Sequence, residues 1–269
     1  MVSVANEALV KVGREIALAA AELARTRRSV GVEVAASKSS LEDVVTHADR
    51  ETEQLIRSML ADARGDDGFF GEESEAEAGR SGLTWVVDPI DGTVNYLYGI
   101  PHYAVSIAVV EGEPDPLTWR ALAGVVVNPA TGEIFSGTVD GGAMLDGRVI
   151  AVNTGVTLDQ ALVGTGFSYS AKARAAQGTV VAGLISQVRD IRRQGAAALD
   201  LCAVACGRLD AYFERGLQPW DHAAAALIAR EAGASVVGLG GRPPSNDFTL
   251  AADAELAAKL EETLRKLGI

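Results

Sequence analysis

The sequence predicts an α/β protein of stacked helix and sheet layers, with an α+β first half (about residues 1–150) and an α/β second half (about residues 151–269). Three observations carry that expectation. Two amphipathic helical patterns open the chain, short β-rich runs fill the stretch from Phe69 to Phe135, and beyond about residue 150 strand and helix patterns alternate. Hydrophobic residues make up 48% of the 269, enough for a substantial core and too many for a disordered chain. There is no internal repeat and no long linker, so residues 1–269 are expected to pack as one domain made of those two halves.

Residues 4–28 place Leu9, Val12, Ile16, Ala19 and Leu23 at helical spacing. A polar loop, Ser37-Lys38-Ser39-Ser40, leads toward a second helix over about 46–64, with Leu55, Ile56, Met59 and Leu60 on its apolar side. Leu83-Thr84-Trp85-Val86-Val87 reads as a strand ending in Asp88-Pro89. Residues 104–110 and 122–127 are likewise β-rich, and Asp146-Gly147 marks a hairpin turn. The second half then reads as strand 161–167, helix 171–188, strand 189–193, helix 196–207, strand 210–214, helix 221–232 and strand 235–238. A last helix carries Leu256, Leu260 and Leu264 on one face.

Twenty-four basic against 36 acidic side chains give a net charge of −12, which disfavours a nucleic-acid-coating surface. A small anionic ligand then requires something local to reverse the field. Cys202 and Cys206, four apart in an Ala-rich helical stretch, read as small core residues rather than a disulfide framework or a metal site. Glu7, Lys11, Arg14 and Glu15 interrupt the first apolar pattern, and no uncharged apolar run is long enough to span a bilayer. The expectation is a soluble, cytoplasmic protein with no membrane contact.

Carboxylates occur where they are costly: at Glu72 and Glu73 after Phe69-Phe70, at Asp88 and Asp91 closing an apolar strand, at Glu214 after Ala211-Tyr212-Phe213, and at Asp221 opening an apolar helix. Their convergence without a Lys or Arg cluster points to hard divalent cations on oxygen ligands, Mg²⁺ or Mn²⁺. His47, His102 and His222 are too scattered for zinc. Pro89 is expected to interrupt the strand and let Asp88 and Asp91 face one point, with the Ile90 carbonyl between them. Gly92-Thr93 would open a short helix whose N–H groups suit phosphate. A metal site abutting an anion site equips a protein for metal-assisted phosphoryl transfer to water, with bound cations supplying the reversal of field. Taken singly, each residue has a plainer reading: Asp221 as a helix N-cap, Asp91-Gly92 as a turn, Glu72 and Glu73 as solvated acids, Lys38 as a loop lysine.

These segments together resemble the inositol monophosphatase family of Mg²⁺-dependent, lithium-sensitive phosphatases. The carriers are Asp88-Pro89-Ile90-Asp91-Gly92-Thr93 and Trp220-Asp221-His222-Ala223-Ala224-Ala225 followed by Glu231-Ala232-Gly233. Lys38 to Asp49, Gly71-Glu72-Glu73-Ser74 and Arg192 to Asp200 agree as well, in the expected order along nearly the whole chain. The resemblance implies a layered αβαβα sandwich of the sugar-phosphatase kind and two to three Mg²⁺ per site. Glu72, Asp88 and the Ile90 carbonyl would bind the first ion, Asp88, Asp91 and Asp221 the second, with Glu72 also serving a looser third. Gly92 and Thr93 would hold the phosphate, and Thr93 with Glu72 would orient and deprotonate the attacking water, with Asp49 among the catalytic set. Glu214 and the backbone from Gly195 to Ala197 would hold substrate hydroxyls, and Lys38 and Asp49 would belong to a lysine loop around the site. Val94 and Tyr98 depart from the family pattern, and Gln218-Pro219, on the alcohol side, is a position where its subfamilies differ.

The expected activity is hydrolysis of a small phosphorylated polyol, with myo-inositol monophosphate first and the amino alcohol histidinol phosphate as the alternative. Fructose-1,6-bisphosphate and 3′-phosphoadenosine phosphates are disfavoured, since a second phosphate wants a basic pocket and only Arg174, Arg192, Arg193 and Arg215 offer one. A reading of a different class is a regulatory protein that kept the fold to bind a partner; the intact acidic set weighs against it. Arg outnumbers Lys 19 to 5, which hints at a GC-rich bacterial source, and the family resemblance implies a homodimer.

Overall fold

The computed structural model describes residues 4–32, 34–37 and 44–269. Lys38 lies outside the described residues. Helices α1 (Val4–Val30) and α2 (His47–Arg64) present Leu9, Ile16, Ala17, Ile56 and Leu60 to one face of a seven-stranded sheet. A short pair, β1 (Val34–Ser37) and β2 (Val44–Thr46), lies between them in sequence.

The large sheet runs in chain order through β3 (Gly68–Gly71), β4 (Leu83–Asp91), β5 (Ala104–Glu111), β6 (Arg120–Val127), β7 (Ile134–Thr138), β8 (Gly142–Leu145) and β9 (Arg148–Val149). β3 and β4 are parallel and the other neighbours antiparallel. Its strands read as continuous apolar runs because both faces are covered. Trp85, Val87, Val105, Ile107 and Val109 face α1 and α2, while their alternates Val86, Ala108 and Val110 face the opposite side. The hairpin between β8 and β9 turns at Asp146 and Gly147, both at positive φ, as the sequence implies.

A five-stranded sheet has the order β11-β10-β12-β14-β13, with β10 (Leu162–Thr165), β11 (Asp190–Arg192), β12 (Ala211–Glu214), β13 (Ser235–Val237) and β14 (Thr249–Ala252). β10, β11 and β12 are parallel, and β14 runs against both β12 and β13. Helices α5 (Ala197–Ala205) and α6 (Pro219–Glu231) fill the space between the sheets, packed on Val86, Ala108, Val126 and Phe135 of one and on Tyr212, Val236 and Ala251 of the other. α4 (Ala171–Leu184) and α7 (Ala254–Lys266) cover the outer face of the small sheet. The layers are therefore α, β, α, β, α, as expected. The remaining short helix, α3 (Thr93–Tyr98), follows β4 directly.

Several boundaries differ from the sequence reading. Pro89 does not end β4: the strand continues to Asp91, and the register slips because three residue steps from Asp88 to Asp91 oppose two from Ser106 to Ala104. A bulge is where a ladder tolerates proline. α6 begins at Pro219, two residues early, with Gln218 as its N-cap, so Asp221 is not the cap but the third residue of the helix. α4 stops at Leu184, and β14 had no counterpart in the reading. Cys206 is the C-cap of α5, its N–H still bonded to the carbonyl of buried Cys202 at 3.1 Å, and both thiols are free.

Gly124 of β6 lies against α6 so closely that a Cβ there would sit 2.8 Å from the Ala224 carbonyl oxygen and 3.0 Å from its Cα. Gly124→Val is therefore expected to cost about 1–3 kcal/mol through overpacking. A lower denaturant midpoint with an unchanged m-value would show it.

Candidate active site

Carboxyl ends of parallel strands from both sheets meet at one cavity of about 440 Å³. β3 delivers Glu72, β4 delivers Asp88, Ile90 and Asp91, β10 leads into Gly166 to Ser170, β11 leads to Arg193, and β12 ends in Glu214. The first turns of α5 and α6 add Ala197 and Asp221. Sites outside the carboxyl ends of such strands are the general rule for α/β sheets.

Three of the acids, Asp88, Asp91 and Asp221, are held by backbone N–H groups. The Ile90 amide donates to Asp88 Oδ1 at 3.0 Å. Ala197 and Ala198, opening α5, donate to Asp91 Oδ1 and Oδ2 at 3.2 and 2.7 Å. The Gln218 amide donates to Asp221 Oδ2 at 2.7 Å. Trp220 packs edge-on against Phe70, centroids 5.4 Å apart, which sets the first turn of α6 against β3. Behind Glu72, buried Glu53 accepts from the Glu73 amide at 2.8 Å and from the Ser74 hydroxyl, fixing the loop after β3.

Thr93 Oγ1 lies 3.1 Å from both Asp49 Oδ1 and the Ile90 carbonyl, and its single proton serves one at a time. Asp49 stands in the first turn of α2, not on a loop, with its other oxygen accepting from the Thr46 amide and hydroxyl. Gly92 needs its φ of +89°, and a Cβ there would lie 3.0 Å from the Gly195 carbonyl oxygen. Asn95 Nδ2 donates to the His102 and Gln194 carbonyls, both at 2.7 Å, and so ties α3 to the segment before α5.

Burial, reinforced by mutual repulsion, pushes Asp88 well above the usual carboxylate range, with Glu72, Asp91 and Asp221 as the repelling neighbours. Burial raises Asp91 and Asp221 in the same way; the Ala198 and Ala197 amides oppose the shift of Asp91, and the Gln218 amide that of Asp221. Asp49 is raised to about 7, mainly by burial, against the Thr46 hydrogen bonds. Glu214 is raised to about 7 by burial, while the Tyr212 hydroxyl, which donates to it, and the Arg193 charge pull it down. Among the described residues no three His, Cys, Asp or Glu side chains are already closed into a coordination shell. The donor set nevertheless fits a hard divalent ion: oxygen ligands only, buried at Asp88, Ile90 and Asp91 and half-buried at Glu72 and Asp221, mutually repelling, with amides rather than cations tethering the three aspartates.

Of the residues singled out in the sequence, Glu72, Asp88, Ile90, Asp91, Gly92, Thr93, Gly195, Ala197, Glu214 and Asp221 all line the cavity. Asp49 does not line it but touches Thr93. Val94 and Tyr98 lie outside it, in a separate hollow beside His102. The sequence reading missed the 166–170 loop as part of the site and treated Arg193 only as a candidate for a second phosphate. Both follow the carboxyl ends of parallel strands, and that signal becomes available once the strand pairing is known.

Residues 5–268 match the inositol monophosphatase family. The inositol-1-monophosphatase SuhB of Mycobacterium tuberculosis is 48% identical over 210 residues, covering 75% of this chain and 70% of that protein. The Nus factor SuhB of Escherichia coli K12 is 40% identical over 206 residues, covering 76% and 74%. The crystal structure of extragenic suppressor protein SuhB from Bartonella henselae superposes with a TM-score of 0.87 at 34% identity, covering 97% of this chain and all of that one.

Glu214 links stability to pH. Its folded value of about 7 stands above its ordinary 4.5, so the folded chain binds this proton more tightly than the unfolded one. The stability it contributes is complete below its ordinary value and lost as pH rises through its folded one. In metal-free protein, the wild type is expected to lose on the order of 1–3 kcal/mol more than Glu214→Gln between about pH 5 and pH 8. Urea titrations of both proteins at the two pH values would measure this.

Proposed function

The chain belongs to the inositol monophosphatase family and is a phosphoric monoester hydrolase, and from that premise we propose that it releases phosphate from myo-inositol monophosphate with Mg²⁺. The observation that carries the reading is the meeting of Glu72, Asp88, Asp91 and Asp221 in one cavity with Thr93 on one wall and Glu214 on another.

Glu72, Asp88 and the Ile90 carbonyl would hold one Mg²⁺, Asp88, Asp91 and Asp221 a second, and Glu72 a looser third, with Mn²⁺ as the alternative ion. Such ions supply positive charge to the phosphate and to the departing oxygen when bound. The amides of Gly92 and Thr93 orient the phosphate. The Thr93 hydroxyl, held between Asp49 and the Ile90 carbonyl, positions the attacking water. Glu72 would take its proton, Asp49 would act through the Thr93 hydroxyl it accepts from, and displacement would proceed directly, without a phosphoenzyme. On the alcohol side Glu214 and the Gly195 segment meet the substrate hydroxyls; the Ala197 N–H is already engaged by Asp91.

Glu214 lines the alcohol side of the cavity and accepts from the Tyr212 hydroxyl, so a substrate hydroxyl suits it as a further partner. Among the described residues no helix is long and apolar enough to cross a membrane; a cytoplasmic homodimer is part of the proposal through the family resemblance alone. The net charge of −12 supports the absence of a nucleic-acid partner.

Phosphate release with Mg²⁺ is expected to favour inositol-1-phosphate over histidinol phosphate, fructose-1,6-bisphosphate and 3′-phosphoadenosine phosphates in kcat/KM. Preference for histidinol phosphate would move the substrate and keep the ligands; release from none would refute the reading. Asp91→Asn keeps one acceptor for the α5 amides yet removes an anionic ligand, so turnover is expected to fall roughly 10²–10⁴-fold with the fold retained. Millimolar Li⁺ is expected to inhibit, and an assay with and without LiCl checks it.

A further inference from the structure

We propose that a second cavity, on α6 and away from the strand ends, binds a small aromatic carboxylate. It measures about 330 Å³ and shares no lining residue with the first. Its walls come from the segment before β6, from α6, from β13 and from residues 241–244.

Charge is the first argument. In a chain of net charge −12, this cavity is lined by two guanidinium groups, Arg230 and Arg242, and by no carboxylate; His222 also lines it but is kept neutral, its pKa pushed down to about 4 by burial. Arg230 Nη2 donates to the Val236 carbonyl at 3.2 Å and Arg242 Nε to the Leu239 carbonyl at 3.4 Å. Among the described residues neither guanidinium has a carboxylate partner, so most of their ten N–H donors remain for a ligand. Guanidinium pairs recognise carboxylates through paired N–H···O bonds.

Shape is the second argument. The Trp119 and His222 rings lie 6.2 Å apart at 55°, and Pro116, Pro243 and Pro244 add flat apolar surface. A planar ring suits such walls. His222 is only 1% exposed and backs these walls from within α6.

Calorimetric titration of the full-length chain with indole-3-carboxylate tests the assignment, with indole-3-carboxamide and inorganic phosphate as comparison probes. The carboxylate is expected to bind at least about tenfold more tightly than the carboxamide, with Arg242→Gln and Arg230→Gln each costing about tenfold. Arg242 is exposed, so its substitution leaves the thermal midpoint unchanged and reports on the ligand alone. Tryptophan fluorescence should change on binding, and Trp119→Phe should abolish that change. Equal affinity for carboxylate and carboxamide, an unaffected Arg242→Gln, or displacement of indole-3-carboxylate by inorganic phosphate would each overturn the proposal.

Discussion

The structure depends on keeping Asp88 and Asp91 buried, with Asp221 half-buried beside them, although the three repel one another. All three are raised far above the ordinary carboxylate range, with burial the largest cause. Buried like charges are unfavourable unless something of opposite sign faces them. Here the opposing partial charges are backbone amides: Ile90 for Asp88, the first turn of α5 for Asp91, and the N-cap of α6 for Asp221. Helix amino ends favour nearby negative charge, so the central helices partly offset the cluster's repulsion. Amides neutralise only part of it, which leaves the cavity set up to receive positive charge from solution.

Positioning the acids explains several otherwise odd choices in the chain. The bulge at Asp88 to Asp91 turns two side chains of one strand toward one cavity, and regular pairing would have separated them. Asn95 locks the turn after that bulge to the segment before α5. Glu53 fixes the loop that carries Glu72, leaving so little room that a Cβ on Gly71 would lie 2.3 Å from Glu53 Oε2. Thr93 and Asp49 join α3 to α2 behind the cavity wall. These contacts reach across long sequence separations, so the site forms only when both sheets and the central helices are in place.

Much of this was legible in the sequence. The helices at both ends of the chain, the apolar strands and the alternating second half follow from periodicity, and the acids at the ends of apolar runs pointed to the cavity. What periodicity could not show was pairing. The continuation of β4 through Pro89 depends on a register slip against β5, a relation between two distant segments. β14 is too short and too Ala-rich to be distinguished from helix by pattern. Asp221 reads as an N-cap by residue type, yet Pro219 starts the helix two residues sooner and makes Asp221 its third residue. Arg193 and the 166–170 loop belong to the site because of where parallel strands end, which sequence alone does not fix.

The abundance of alanine has a structural consequence as well. Every residue of α5 is buried, and so is each residue of α6 from His222 to Ala229, because a sheet covers both sides of that layer. A helix apolar all round belongs to such an interior. Small side chains keep the layer thin, and Gly124 beneath Ala224 marks how close the large sheet approaches. Thinness sets the chemistry. Asp91 belongs to the large sheet, while the amides that hold it belong to α5, at 2.7 and 3.2 Å. Hydrogen bonds of that length fail if the layers separate by even an ångström. Larger residues in the middle layer would move Asp88 and Asp91 away from Asp221 and Glu214, and two half-sites would replace one. The spacing between sheets is thus part of the active-site geometry.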